Sequence, residues 1–251
     1  MTDRHRVILI TGGSRGIGRA TALLAARAGY AVGVNYRRDE DVAGEVVAAC
    51  RDLGAESHPF AADVADERQV VAMFDAVESS LGPLDVLVNN AGVLEQQMRF
   101  ADMTVDRWRR TYETNVIGAM LCAREAVRRM SRSGGGHGGA IVNVSSAAAR
   151  LGSPGEYVDY AMTKAALDTL TIGLGKEVAA DGIRVNAVRP GVIHTGIHAA
   201  GGEPDRVARV APSVPLQRGG EPDEVARAIL WLAGDDASYV TATTLDVTGG
   251  R

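Results

Sequence analysis

Short apolar runs alternate along this chain with longer stretches in which apolar residues recur every three to four positions. Residues 6–11 (RVILIT) are β-rich, end in glycines and give way to a helical pattern over 17–28. Further strands are predicted at 31–36, 57–62, 84–89, 140–144, 184–188 and 243–247. Helices are predicted over 39–53, 67–81, 105–130 and 222–233, with another in the segment YVDYAMTKAALDTLTIGLGKEVA. The helix over 105–130 is unusually long and is stopped by SGGGHGG. Strands that read as continuous apolar runs between amphipathic helices are those of a parallel sheet buried on both faces. Right-handed crossovers then give an α/β, doubly wound parallel sheet of about seven strands flanked by helices on both faces.

Ligands of such sheets bind beyond the carboxyl ends of the strands, and the polar and glycine-rich signals of this chain sit there. Gly12 to Gly18 follow the first strand, Asp63 the third, residues 89–92 the fourth, Ser145 and Ser146 the fifth, and Pro190 with Gly191 the sixth. No Pro-rich, Ser-rich or charged run divides the 251 residues, so one dinucleotide-binding and catalytic domain over 1–251 is expected, with a mobile substrate lid at about 192–215.

Composition narrows the function. A formal net charge of -4 gives no electrostatic reason to expect nucleic acid or an anionic membrane as partner. Cys50 and Cys122 lie in helical patterns without paired spacing and are expected as reduced, buried thiols of a cytoplasmic protein. The N-terminal MTDRHRVILIT has too short an apolar run for a signal peptide, and no stretch approaches a membrane span. His5, His58 and His137 lack metal-ligand spacing, so no metal is expected.

The chemistry centres on Tyr160 and Lys164, four positions apart on one helix and hence on one face. Lowering a tyrosine pKa by ~3 units needs ~4 kcal/mol of differential stabilisation of the phenolate. A cation at ~5 Å supplies about 3 kcal/mol at an effective dielectric of ~20, before desolvation opposes it. The pair can therefore act as proton donor and acceptor near neutral pH.

The turn TGGSRGIG carries Gly12, Ser14, Arg15, Gly16, Ile17 and Gly18 directly before a helix, where glycines admit a pyrophosphate and the helix N-terminus favours its charge. The turn is read as the dinucleotide site of a Rossmann fold; a plain glycine-rich connection is the alternative, and a methyl-donor site would not explain Tyr160 and Lys164. The second strand ends Asn35-Tyr36-Arg37-Arg38, without the carboxylate that would accept from an adenosine ribose. Arg37 and Arg15 can instead clamp a 2′-phosphate, which favours NADP(H) over NAD(H).

Taken together, TGGSRGIG at 11–18, Asp63-Val64, Asn89-Asn90-Ala91-Gly92, Asn115 in ETNVIG, NVSS at 143–146, YAMTK at 160–164 and PGVIHT at 190–195 resemble the short-chain dehydrogenase/reductase family. The resemblance covers essentially the whole chain and extends to 3-oxoacyl-carrier-protein reductases and glucose dehydrogenase-like members. It implies interconversion of a ketone and a secondary alcohol, with Tyr160 as the acid or base and Lys164 binding the nicotinamide ribose. It further implies that Ser146 bonds the substrate oxygen and that Asn115 holds a proton-relaying water. Asp63 would meet the adenine; Asn90, Ala91, Gly92, Val64, Tyr36, Pro190 and Gly191 would line the cofactor. Ile193 and Thr195 would contact the carboxamide. A homotetramer is implied, paired through the 105–130 helix and the Tyr160 helix. Ser146 precedes Tyr160 by fourteen residues rather than the commoner thirteen, which leaves Ser145 as an alternative. Ala242 stands where many relatives have glycine.

Two rival readings are a non-redox dehydratase or epimerase of the same fold and a non-catalytic NADP(H) sensor; the presence of Tyr160, Lys164, Ser146 and Asn115 disfavours the sensor. Among other residues, His194 and His198 lie in the lid, and Asp159 and Glu156 are expected on a solvated loop face. Trp108 and Trp231 are expected as core or subunit contacts, and Arg128, Arg129 and Arg132 as cations suited to a helix C-terminus.

Overall fold

A computed structural model describes residues 5–251; the MTDR of the N-terminal leader reading lies outside the described residues. Seven parallel strands, β1 (Val7–Ile10), β2 (Ala31–Tyr36), β3 (Ser57–Ala61), β4 (Leu84–Asn89), β5 (Gly139–Val144), β6 (Ile183–Pro190) and β7 (Thr244–Val247), form one sheet in the order β3-β2-β1-β4-β5-β6-β7. The order reverses between β1 and β4, which opens a crevice at their carboxyl ends. The doubly wound fold expected from the sequence is therefore the one observed.

Helices α1 (Gly16–Arg27), α2 (Glu40–Asp52) and α10 (Pro222–Ala233) pack on one face, where Ile8, Ile10, Val32, Val34, Val86 and Ile229 are buried together. Helices α3 (Glu67–Leu81), α4 (Val105–Tyr112), α5 (Ala119–Met130) and α7 (Val158–Glu177) belong to the other layer, whose core includes Leu9, Phe74, Leu87, Met130 and Ile141. Alternate residues of β1 feed the two cores, so this central strand is apolar and buried throughout. The starts of α3 and α10 are capped: Asp66 accepts from Arg68 N and Gln69 N ahead of α3, and Glu221 with Glu224 form a capping box around Pro222 ahead of α10.

The long helix expected over 105–130 is interrupted. A π-helical turn, Glu113–Gly118, joins α4 to α5 and carries Asn115. One extra residue in a helical turn leaves the apolar periodicity on either side nearly intact, which is why the pattern reads as a single helix. Short helices α6 (Ala148–Leu151), α8 (Ile197–Ala200) and α9 (Arg206–Val210) flank the carboxyl end of the sheet, the last two within the segment expected as a lid. At the base of β7, Ala242 has φ 58, the left-handed region that favours glycine. It packs on Gly175, where an added Cβ would lie 2.9 Å from the Ala242 backbone.

Trp231 is 43% exposed, so it is not core. Trp108 is half-buried and stacks on Phe100 with ring centroids 5.5 Å apart. Arg129 does not face solvent as a free cation but pairs with Asp75 at 2.5 Å, Glu125 at 2.6 Å and Glu78 at 3.3 Å. Among the described residues no helix is long and apolar enough to cross a membrane, and no group of His, Cys, Asp and Glu is placed to hold a metal ion.

Candidate active site

The crevice at the switch point is a cleft of about 840 Å³ lined at one end by Gly12, Arg15, Gly16 and Ile17, in its middle by Ser145, Ser146, Tyr160 and Lys164, and at its lid side by Pro190, Gly191, Ile193 and Thr195. A second hollow of about 270 Å³ shares Gly12, Arg15, Ala91 and Gly92 with it and adds Ser14, Tyr36, Arg37, Asp63 and Val64. Asn90 lines the larger cleft as well. Nearly every residue singled out from the sequence thus faces one connected groove. Gly18 and Asn115 do not; they brace it from behind.

The groove fits a dinucleotide. The N-terminal turn of α1 contains no acidic residue, and its cap residue Arg15 makes no side-chain cap hydrogen bond, leaving first-turn amides for an anion. A Cβ on Gly18 would lie 2.6 Å from Asn90 Nδ2, so only glycine lets the turn close this tightly. Asn90 Nδ2 in turn donates to Thr11 O at 2.9 Å and Gly12 O at 3.0 Å, while Thr11 Oγ1 accepts from Asn90 N and Ala91 N, both at 3.0 Å. Asn35 Oδ1 accepts from Gly12 N at 3.1 Å and its amide donates to Phe60 O and Ala62 O. In the second hollow, Arg37 pairs with Asp63 at 3.5 Å and Arg15 with Asp39 at 2.8 Å, so both arginines already have counter-charges.

Tyr160 and Lys164 stand together as their spacing requires, with Lys164 Nζ 5.6 Å from the Tyr160 ring centroid. Lys164 is 3% exposed and donates to Val144 O at 2.8 Å. The lowered tyrosine pKa expected from the sequence is not what this arrangement produces. Burial pushes the phenol up to about 12, with the Ser146 hydroxyl hydrogen bond opposing. Burial also pulls Lys164 down to about 8, with the Asp168 carboxylate opposing. Desolvation disfavours both charged forms and is the first cause of each shift.

The two serines take different tasks. Ser145 Oγ donates to Lys164 O at 3.0 Å and is locked to the helix, whereas Ser146 meets the Tyr160 phenol and caps Ala148 N at 3.1 Å. Asn115, fully buried, accepts from Val93 N at 2.8 Å and donates to Val93 O at 3.0 Å and Thr163 Oγ1 at 3.1 Å. Thr163 Oγ1 donates to Tyr160 O at 2.7 Å, so the π-helical turn grips the helical turn that carries the phenol. A Cβ on Gly92 would sit 3.4 Å from Asn115 Oδ1 and 3.5 Å from Lys164 Nζ, in ordinary contact with both, so Gly92 abuts the buried lysine and the π-helical turn.

The expected solvated face at 156 and 159 is absent. Asp159 is 2% exposed and takes two bonds from Arg107, Nε to Oδ2 at 2.6 Å and Nη2 to Oδ1 at 3.1 Å, while Arg107 Nη1 also donates to Gln96 O. Glu156 pairs with Arg206 and Arg209 of the lid. These partners lie about fifty positions away in sequence, beyond any local signal. His198 is buried, with its Nε2 2.8 Å from Ile193 O, and lines the cleft, whereas His194 is exposed and 3.9 Å from Glu221. The sequence reading missed Asn35, Asp39, Thr11, Thr163, Arg107 and Arg206; Asn35 alone left a trace, as the polar interruption of an apolar strand.

A glycine turn on a helix N-terminus and a Tyr-Lys-Ser cluster at the switch point define a dinucleotide-binding oxidoreductase of the doubly wound class. The profile described as Enoyl-(Acyl carrier protein) reductase matches residues 12–251. The chain is 57% identical over 245 residues to the uncharacterized oxidoreductase YgfF of Escherichia coli K12, covering 98% of this chain and 99% of that protein. It is 38% identical over 242 residues to 3-oxoacyl-[acyl-carrier-protein] reductase FabG of Staphylococcus aureus, covering 96% of each. The solved structure of acetoin dehydrogenase YohF from Salmonella typhimurium superposes with a TM-score of 0.86 at 34% identity, over 98% of this chain and 96% of that one. The chain belongs to the short-chain dehydrogenase/reductase family and is an oxidoreductase of the nicotinamide-using kind.

Proposed function

We propose that this protein is an NADP(H)-dependent oxidoreductase that interconverts a ketone and a secondary alcohol, with Tyr160 as its acid and base. The reading rests on one observation: Tyr160, with Ser146 and Lys164, lines the same groove as the glycine turn, and Lys164 Nζ lies 5.6 Å from the Tyr160 ring centre. A similar fold in a protein named acetoin dehydrogenase and a similar sequence in one named 3-oxoacyl-[acyl-carrier-protein] reductase support carbonyl and alcohol chemistry.

When bound, the nicotinamide supplies hydride transfer; the side chains orient and move the proton. Gly12, Ser14, Gly16 and Ile17 would hold the diphosphate on the N-terminus of α1, while Arg15 and Arg37 would take a 2′-phosphate by exchanging their exposed pairs with Asp39 and Asp63 for it. Asp63 and Val64 meet the adenine, and Asn90, Ala91, Gly92, Pro190, Gly191, Ile193 and Thr195 line the remainder. A phenol held at about 12 stays protonated at neutral pH and is ready to protonate the carbonyl oxygen on reduction. Ser146 donates to the same oxygen as negative charge develops there. Lys164, near 8, releases and regains a proton at Nζ around neutral pH and so restores the phenol. Asn115 positions Tyr160 through Thr163.

The chain works as a single domain with its lid at about 192–215. Ile117 and Met120 on one side and Met162 and Ile172 of α7 on the other are exposed apolar residues, which supports pairing of copies through the α4–α5 and α7 faces, in a homotetramer. Two buried free thiols suit a reducing, cytoplasmic setting. Purified protein mixed with NADPH and a panel of ketones tests the reading: loss of the reduced-nicotinamide absorbance is expected. Tight NADPH binding with no oxidation across the panel overturns it in favour of a sensor.

A further inference from the structure

Beyond Tyr160 the cleft ends in a wall of Leu94, Leu151, Pro154, Tyr157, Val192 and Ile197, interrupted by one charged pair, Glu156 and Arg206. The Arg206 side chain is 8% exposed, and both of its terminal nitrogens are paired. Its Nη1 and Nη2 donate to Glu156 Oε1 at 3.0 Å and Oε2 at 2.7 Å, and Nη1 also donates to Glu203 Oε2 at 3.1 Å. Its guanidinium lies 5.0 Å from the centre of the Tyr157 ring, which meets the Tyr160 ring edge-on at 5.6 Å. Arg209 closes the cluster by bonding both Glu156 and Glu203, and Gln97 donates to Glu203 at 2.5 Å. Two carboxylates therefore answer two guanidiniums, and this cluster, one ring away from the phenol, carries no net charge. Arg251 also lines the cleft, outside this cluster, and its carbonyl accepts from Arg150.

An arginine facing a substrate cleft is a natural carboxylate receptor, because its planar fork accepts two parallel hydrogen bonds. Glu156 already fills that fork. Burial works against the Glu156 carboxylate, yet its bonds to Arg206 and then Arg209 hold its pKa below the usual carboxylate value, so it stays charged at neutral pH. Resting on the ketone-reductase reading above, we infer that Glu156 sets the specificity of the cleft: by masking Arg206 it selects ketones with an uncharged, apolar side group and excludes ketones that carry a carboxylate. Neutralising Glu156 leaves the cluster with one surplus positive charge and turns Arg206 into a carboxylate receptor.

The test compares methyl isoamyl ketone with levulinate, near-isosteres that differ in an isopropyl group against a carboxylate, each reduced with NADPH. Wild type is expected to favour methyl isoamyl ketone by at least tenfold in kcat/KM, a measurement that needs no variant. Glu156→Gln is expected to move that ratio at least tenfold toward levulinate, mainly through KM, and Glu156→Gln/Arg206→Met is expected to abolish the gain. Circular dichroism and NADPH affinity confirm that each variant is folded; if one is not, the wild-type ratio decides. Equal rates or a preference for levulinate in wild type, no turnover of methyl isoamyl ketone by an enzyme active on other ketones, an unmoved ratio in folded Glu156→Gln, or a gain that survives loss of Arg206 overturns the inference and leaves ketone reduction standing. No turnover of any ketone removes the underlying reading as well.

Discussion

Replacing Asp159 by Ala should destabilise the protein severely, because it strips a buried guanidinium of its counter-charge. Arg107 and Asp159 are 4% and 2% exposed at their side chains and meet through two bonds at 2.6 and 3.1 Å. Without the carboxylate, Arg107 keeps only the Gln96 carbonyl among these partners. Breaking a buried pair by removing one member costs about 3–5 kcal/mol. An independent Coulomb figure of about 4 kcal/mol at ~4 Å and an effective dielectric of ~20 agrees. At roughly 2–4 °C per kcal/mol for a chain of this length, Tm should fall by about 6–20 °C. Because Asp159 also leads into the turn bearing Tyr160, kcat should fall more than cofactor affinity. Thermal unfolding and urea titration of D159A provide the measurement, with Arg107→Met/Asp159→Leu expected to recover much of the loss by replacing the pair with apolar volume. A Tm change under about 2 °C for D159A would refute the claim that this pair clamps α4 to the start of α7.

Three other outcomes follow from the same structure. Lys164 carries its proton less readily when folded, near 8 against 10.5 unfolded, so the unfolded chain binds more protons between those values and stability should rise with pH there. The stabilisation is fully present above the unfolded value and is lost as pH falls through about 8; Lys164→Met should remove a rise of roughly 3 kcal/mol, read as the difference between variant and wild-type urea curves at each pH. Ala242→Gly relieves a left-handed alanine and should raise stability by about 1 kcal/mol in the same titration; an unchanged midpoint would count against strain at this turn. Arg37→Ala should reduce the ratio of NADPH to NADH affinity by about tenfold, the contribution of one charge-assisted phosphate contact, whereas an unchanged ratio would remove Arg37 from the phosphate clamp.

The sheet was legible because its central strands β1 and β4 are buried along their whole length and most strands end in a residue type with an unusual use. Gly12 to Gly18, Asp63, Ser146 and Pro190 mark the carboxyl edge without any knowledge of packing. Three features were not legible, each for a physical reason. The π-helical turn at Asn115 hides inside an unbroken amphipathic period. Asp159 and Glu156 look solvated in sequence because Arg107 and Arg206 lie 52 and 50 positions away. The protonation of the Tyr160 pair was misjudged because spacing reveals proximity but not dehydration, and dehydration sets the direction of both shifts. The Ser145 hydroxyl donates to the Lys164 carbonyl, a direction that no spacing rule contains.

The central claim is that the Tyr160 phenol supplies the proton that ketone reduction consumes. Tyr160→Phe keeps the ring and deletes the hydroxyl, so steady-state turnover of the best ketone should drop by about two to four orders of magnitude while the NADPH dissociation constant stays within about threefold. Turnover within tenfold of wild type would contradict the claim.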